Sequence, residues 1–144
     1  MGSVTSEVTI PALPETVWQV FANPANFERW LTIHSKWKGE VPDGFTQGSQ
    51  ITQVVSMLGM PNTITWTVEE YDEPKIAKIS GTGMAGVRVS ITLSAAPSED
   101  GGTLATLDAE FSGQMIVGAL GKAVEKDAQK QLDESMANFA ALVS

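Results

Sequence analysis

No cysteine occurs in the 144 residues of the chain. That excludes a disulfide framework, a thiol nucleophile and any metal site built on thiolates. It also fits a reducing compartment, and we expect the protein to be cytoplasmic. Histidine is almost as scarce. His34 is the only one, so histidine-rich ligation is unavailable, and we expect neither a metal nor a cofactor. Basic residues are few: 9 Lys and Arg stand against 17 Asp and Glu, a formal net charge of −8. Phosphate contacts need clustered cations, so this balance argues against a nucleic-acid partner. It argues equally against adhesion to anionic lipid. No apolar run approaches the ~18 residues of a membrane span, and no signal-peptide pattern opens the chain. No G-x-S-x-G is present to place a serine nucleophile. The string "GALGKA" (118–123) lacks a phosphate loop's first glycine and carries Ala123 in place of the magnesium-binding hydroxyl.

What is there is a hydrophobic share of 42%, enough to bury a core, in a length that suits one domain over residues 1–144. "VTSEVTI" (4–10) reads as a first strand. Pro14, Glu15 and Thr16 open a short helix that Asn23-Pro24 closes, with Val17, Trp18, Phe21 and Ala22 on one face. A second short helix carries Phe27, Trp30 and Leu31. From Thr32 to Ser49 the pattern lapses, and turn chemistry at Gly39, Pro42-Asp43-Gly44 and Gln47-Gly48 predicts a loop. The middle then changes period: 49–58, rich in β-branched residues, 63–72, 75–81, 87–97 and 103–113 read as strands, with clean alternation over 63–72 and 87–97, the breaks falling at "GMPN", Glu73-Pro74, "GMAG" and "SEDGG". The last thirty or so residues return to helical spacing. Val117, Leu120, Val124, Ala128, Leu132, Ser135, Phe139 and Val143 form one stripe. Roughly 25 residues of helix span about 37 Å, which needs a sheet of matching length to cover the stripe. The expected class is α+β: a curved antiparallel sheet of about six strands around a long C-terminal helix, with two short helices after strand 1.

This order resembles the START-like superfamily, the helix-grip or polyketide cyclase/dehydrase and lipid-transport (SRPBCC) group, over nearly the whole chain. More locally, "WLTIHSKW" (30–37), "GMPNTITWTV" (59–68) and "GVRVSITLSAAP" (86–97) resemble an actinobacterial branch containing the toxin of a type II toxin–antitoxin pair. The plant pathogenesis-related branch fits poorly, because its multi-glycine loop corresponds here to "GMPN" with one glycine. The resemblance implies an apolar cavity between helix and sheet that holds a lipid, polyketide or similar molecule. Cyclase/dehydrase-like activity is implied by it alone, since no catalytic constellation is carried over. It also implies the alternative, a toxin partnered by a small antitoxin protein; the acidic charge points such a toxin toward a protein or metabolite target.

Within that picture the candidate cavity residues are Trp30, His34, Trp37, Met57, Trp66, Val89, Ile91, Leu120, Val124 and Leu132. Aromatic and thioether side chains supply broad, adaptable apolar surface. His34 has an ordinary pKa near ~6.5 and could serve as a base. Its placement among tryptophans reads rather as one polar group orienting a ligand's polar end, or a helix-exit residue bonded to backbone. Met60 and Met84 fall in expected turns and mark an entrance or partner surface. Asp108 and Glu110 share a strand face opposite Leu107, Ala109 and Phe111, so they point to water rather than forming an acid/base pair.

Overall fold

The computed structural model describes residues 2–40, 44–57, 59–83, 86–113 and 118–143, the side chain of Met57 excepted. One antiparallel sheet organises the chain, in the order β1-β7-β6-β5-β4-β3-β2. β1 (Gly2–Ile10) leads into α1 (Pro14–Phe21), a 3-10 turn (Pro24–Asn26) and α2 (Phe27–Trp30). The strands β2 (His34–Lys38), β3 (Gln50–Met57), β4 (Met60–Asp72), β5 (Ile76–Thr82), β6 (Arg88–Pro97) and β7 (Thr103–Ser112) follow. α3 (Gly118–Val143) ends the chain. The sheet is the curled half-barrel of a helix-grip fold.

Alternation selects the inner face. Ile64, Trp66 and Val68 of β4, Ala77 and Ile79 of β5, Ile91, Leu93 and Ala95 of β6, and Ala105, Leu107, Ala109 and Phe111 of β7 are all buried. The register lines them up, Ile79 opposite Ile91 and Ile91 opposite Ala109. The opposite face carries Arg88, Glu110 and a field of Ser and Thr, as the alternation of β6 and β7 predicts.

Three local expectations are corrected. Residues 34–38 form β2 instead of a loop, paired with β3 through His34–Val55, Lys36–Val54, Trp37–Gln53 and Lys38–Thr52. A register shift between His34 and Lys36 breaks the period of two, which is why the strand has no alternation in sequence. The β3–β4 turn is tighter than "GMPN" predicts. Met57 pairs with Met60, and Gly59 takes φ +77°, the left-handed conformation a two-residue hairpin needs. Pro61 and Asn62 lie within β4, and Pro61 is tolerated because β5 begins to pair only at Thr65. Finally, Leu120 is 46% exposed. The buried stripe of α3 is Ala128, Leu132, Ser135, Met136 and Phe139, from the middle of the helix onward, with Val124 half-buried ahead of it. The expected turn "GMAG" falls partly, and Met84, Met115 and Val117 fall wholly, outside the described residues.

Ser135 sits in an otherwise apolar stripe because it is a joint. Its Oγ accepts the backbone N–H of Thr32 at 2.9 Å and donates to the Gln131 carbonyl at 2.7 Å. Thr32 Oγ1 lies 2.6 Å from Gln131 Oε1. This clasp satisfies polar groups freed where α2 ends and fixes α2 against α3.

Candidate functional site

The short helices, β2 and the second half of α3 bring aromatic rings into one chain of contacts. Trp30 packs on Phe21 at 5.4 Å between ring centroids, on Phe27 at 5.4 Å and on Phe139 at 5.2 Å. Phe27 in turn meets Trp37 at 5.6 Å, Phe45 at 6.0 Å and His34 at 6.4 Å. His34 and Trp37 stand 5.2 Å apart. Such tilted and edge-on pairs each add about 0.5–1.5 kcal/mol beyond their buried area. The cluster is therefore a rigid element of the fold.

The polar ends of the four tryptophans differ. Trp18 donates to Tyr71 Oη at 3.1 Å. Trp37 donates to the Pro24 carbonyl at 2.9 Å. Trp66, fully buried, donates to Gln53 Oε1 at 2.8 Å. Trp30 is 1% exposed, and its Nε1 has no acceptor among the described residues. A buried donor left without a partner costs about 1–3 kcal/mol. The fold holds that cost at the centre of its aromatic cluster.

Gln53 is the residue sequence reading missed. It is 1% exposed on the inward phase of β3, level with Trp37 on β2 and Ile64 on β4. Its Nε2 lies 2.7 Å from Nδ1 of His34. The signal was present: in "QITQVVSM", Gln53 occupies an inward position between Ile51 and Val55.

The remaining candidates spread over the core. Ile91 and Leu132 are buried, and Val89 and Val124 are half-buried. Leu120 is exposed, and the Met57 side chain lies outside the described residues. Trp30, His34, Trp37 and, through Gln53, Trp66 form the connected group. An open depression of about 510 Å³ is lined mainly by outer-face residues such as Thr65, Ser80, Arg88 and Ser90, and it also takes in Phe111 and the candidate Val89. Its wall mixes hydroxyl and apolar groups and lies open, so it does not enclose a ligand as a buried pocket does.

Burial holds the pKa of His34 below its ordinary 6.5, and the charge of Glu28 offsets this only in part. Between pH 6.5 and the lower folded-state value, the unfolded chain binds a proton that the folded chain does not. Folding stability attributable to this ring is thus complete above pH 6.5 and falls on acidification through that window. On going from pH 7.5 to pH 5.5, the wild type should lose more stability than His34→Asn. Paired urea titrations at the two pH values measure the difference; an equal or smaller loss in the wild type contradicts the assignment.

The polyketide cyclase / dehydrase and lipid transport family model matches residues 1–144. An uncharacterized protein of Mycobacterium tuberculosis, Rv1546, is 32% identical over 142 residues, covering 99% of each chain. The toxin Rv0910 of the same organism is 30% identical over 139 residues, covering 96% of each. Among solved structures, a START superfamily protein from Mycobacterium smegmatis superposes with a TM-score of 0.79, over 99% of this chain and 97% of that one. At 18% identity, that likeness bears on the fold alone.

Proposed function

Because the chain belongs to the polyketide cyclase / dehydrase and lipid transport family, we propose that it binds a hydrophobic small molecule, such as a lipid or polyketide, against the aromatic cluster of α2, β2 and α3. One observation carries this reading: the buried indole N–H of Trp30 has no protein acceptor among the described residues. A ligand oxygen would supply that acceptor while the ligand's apolar body meets the surrounding rings, the usual division of labour in such pockets. Trp30, His34, Trp37 and Trp66 are the proposed contacts, with Val89, Ile91 and Val124 as apolar wall; Leu132, buried deeper in α3, backs them as packed core. Leu120, exposed at the start of α3, lies about 28 Å along the helix from Phe139 and is not among the proposed contacts. We place the protein in the cytoplasm; none of its described helices is long and apolar enough to cross a membrane.

The test uses two probes that differ in one oxygen, 2-dodecanone and dodecane, titrated against intrinsic tryptophan fluorescence. Trp30→Phe keeps most of the ring but removes the donor. It should weaken 2-dodecanone about ten-fold relative to dodecane, the size of one buried hydrogen bond. Equal weakening of both probes, or no binding of either by the wild type, contradicts the reading.

The name of one relative favours a second reading. Rv0910 is called a toxin, and it matches almost end to end at 30% identity. On that reading the chain is a toxin held inactive by a small antitoxin protein, acting through a protein or metabolite target. Met60, 65% exposed at the β3–β4 turn, and Leu13, 62% exposed before α1, are apolar groups such a partner could cover. A short open reading frame directly upstream, whose product relieves growth arrest, is the discriminating observation.

A further inference from the structure

The hydrogen-bond chain across β2, β3 and β4 has one unambiguous member. An indole N–H can only donate, so the Gln53 atom 2.8 Å from Trp66 Nε1 is the amide oxygen. The other end of the amide is then the NH2 group, which can only donate, and it lies 2.7 Å from Nδ1 of His34. Nδ1 must accept. In the neutral ring the proton therefore sits on Nε2.

We infer that Gln53 is a positioning residue that holds His34 as an Nε2–H donor, so that the ligand class is one presenting an oxygen acceptor to that nitrogen, such as a ketone, ester or ether. The inference rests on the hydrophobic-ligand reading above and narrows its chemistry.

Three observations support it. Gln53 is 1% exposed, and a buried amide is tolerated only when its polar atoms are paired; here Trp66 takes the oxygen and His34 the nitrogen. Trp66 is fully buried on the central part of β4, so the anchor of the chain cannot drift. Protonating His34 would set an Nδ1–H against the Gln53 NH2, donor against donor, so the amide opposes the cation as burial does. Glu28 acts in the other direction, while Lys36 and Lys38 lie exposed on β2. The consequence is chemical. A ring locked in this form gives a hydrogen bond at Nε2 and has no lone pair there with which to take a proton. His34 is then a recognition group and not a general base.

The chain's single histidine makes the test direct. The side-chain nitrogens of His34 are read by 15N–1H correlation spectroscopy of the ligand-free protein above its titration midpoint. The expected result is one proton-bearing nitrogen, Nε2, favoured over the Nδ1–H form by about ten to one. Gln53→Glu keeps the acceptor for Trp66 but replaces the donor with a carboxylate. It should raise the titration midpoint and move the proton of the neutral ring to Nδ1. Trp66→Phe frees the amide to turn over and should erode the preference toward an even mixture, which covers the case of a poorly folded Gln53→Glu. A wild-type ring in the Nδ1–H form or an even mixture overturns the inference, as does a preference unmoved in both variants. Adding 2-dodecanone should then shift the Nε2 resonance, while dodecane should not. A ketone that binds without touching Nε2 overturns the ligand assignment. Failure of both probes to bind refutes the hydrophobic-ligand reading itself, and it does so separately from the tautomer measured without ligand.

Discussion

Phe139→Ala is expected to lower the free energy of unfolding by about 3–5 kcal/mol, the range for a fully buried aromatic truncated to a methyl group. Phe139 is completely buried, and its ring lies 4.7 Å from Phe21 of α1 and 5.2 Å from Trp30 of α2. It is thus the point where α3 holds both short helices. Removing it opens a cavity whose walls are already rigid aromatic rings, so the site has little means of collapsing. Domains of this size carry about 5–15 kcal/mol in total, and the loss is a large share of it. Guanidinium unfolding at fixed pH measures it, with the midpoint falling and the slope unchanged. A loss under about 1 kcal/mol would mean that the helix does not bear on the core at this position. The same substitution withdraws packing from Trp30, so the fluorescence response to 2-dodecanone should also weaken.

The strands from β3 to β7 were legible because each is half-buried: one face must be apolar and the other can be Ser, Thr or charged, and that alternation is written in the residues. β2 was not legible. His34-Ser35-Lys36-Trp37-Lys38 is a short edge strand with an irregular register, and its pairing with β3 rather than any pattern of its own defines it. The consequence reached the site, because His34, expected where a helix runs into a loop, follows α2 but opens an edge strand and meets Gln53 of β3 through its ring. Trp30, His34, Trp37 and Trp66 were readable as a group only by residue type; the geometry that links the last to the others runs through Gln53. That residue was visible as a polar intruder in an apolar phase, but its meaning depends on two neighbours distant in sequence, at 34 and 66. The stripe of α3 failed at Leu120 for a different reason. Periodicity states which side of a helix is apolar and cannot state how far the surface beneath it extends.

Leu132→Ala carries the second large effect, an expected loss of about 2–5 kcal/mol. Leu132 is 3% exposed and falls midway between Ala128 and Met136 in the buried half of α3, one turn from the Ser135 clasp to Thr32. Its size matters because Ala128 on one side is already small and Ser135 on the other is committed to Thr32 and Gln131. Neither neighbour can expand to fill the space a leucine leaves. The position also discriminates packed core from ligand wall, since a side chain against protein loses its contacts on truncation whereas one against a ligand space loses few. The full loss, with dodecane affinity unchanged, would place Leu132 in the permanent core and confine the ligand to the aromatic end around Trp30. A loss below about 1 kcal/mol together with tighter binding of the larger probes would instead make Leu132 part of the cavity wall. Urea unfolding and the two-probe titration, run on the same variant, give both numbers, and the first of these outcomes is the one the burial of Leu132 leads us to expect.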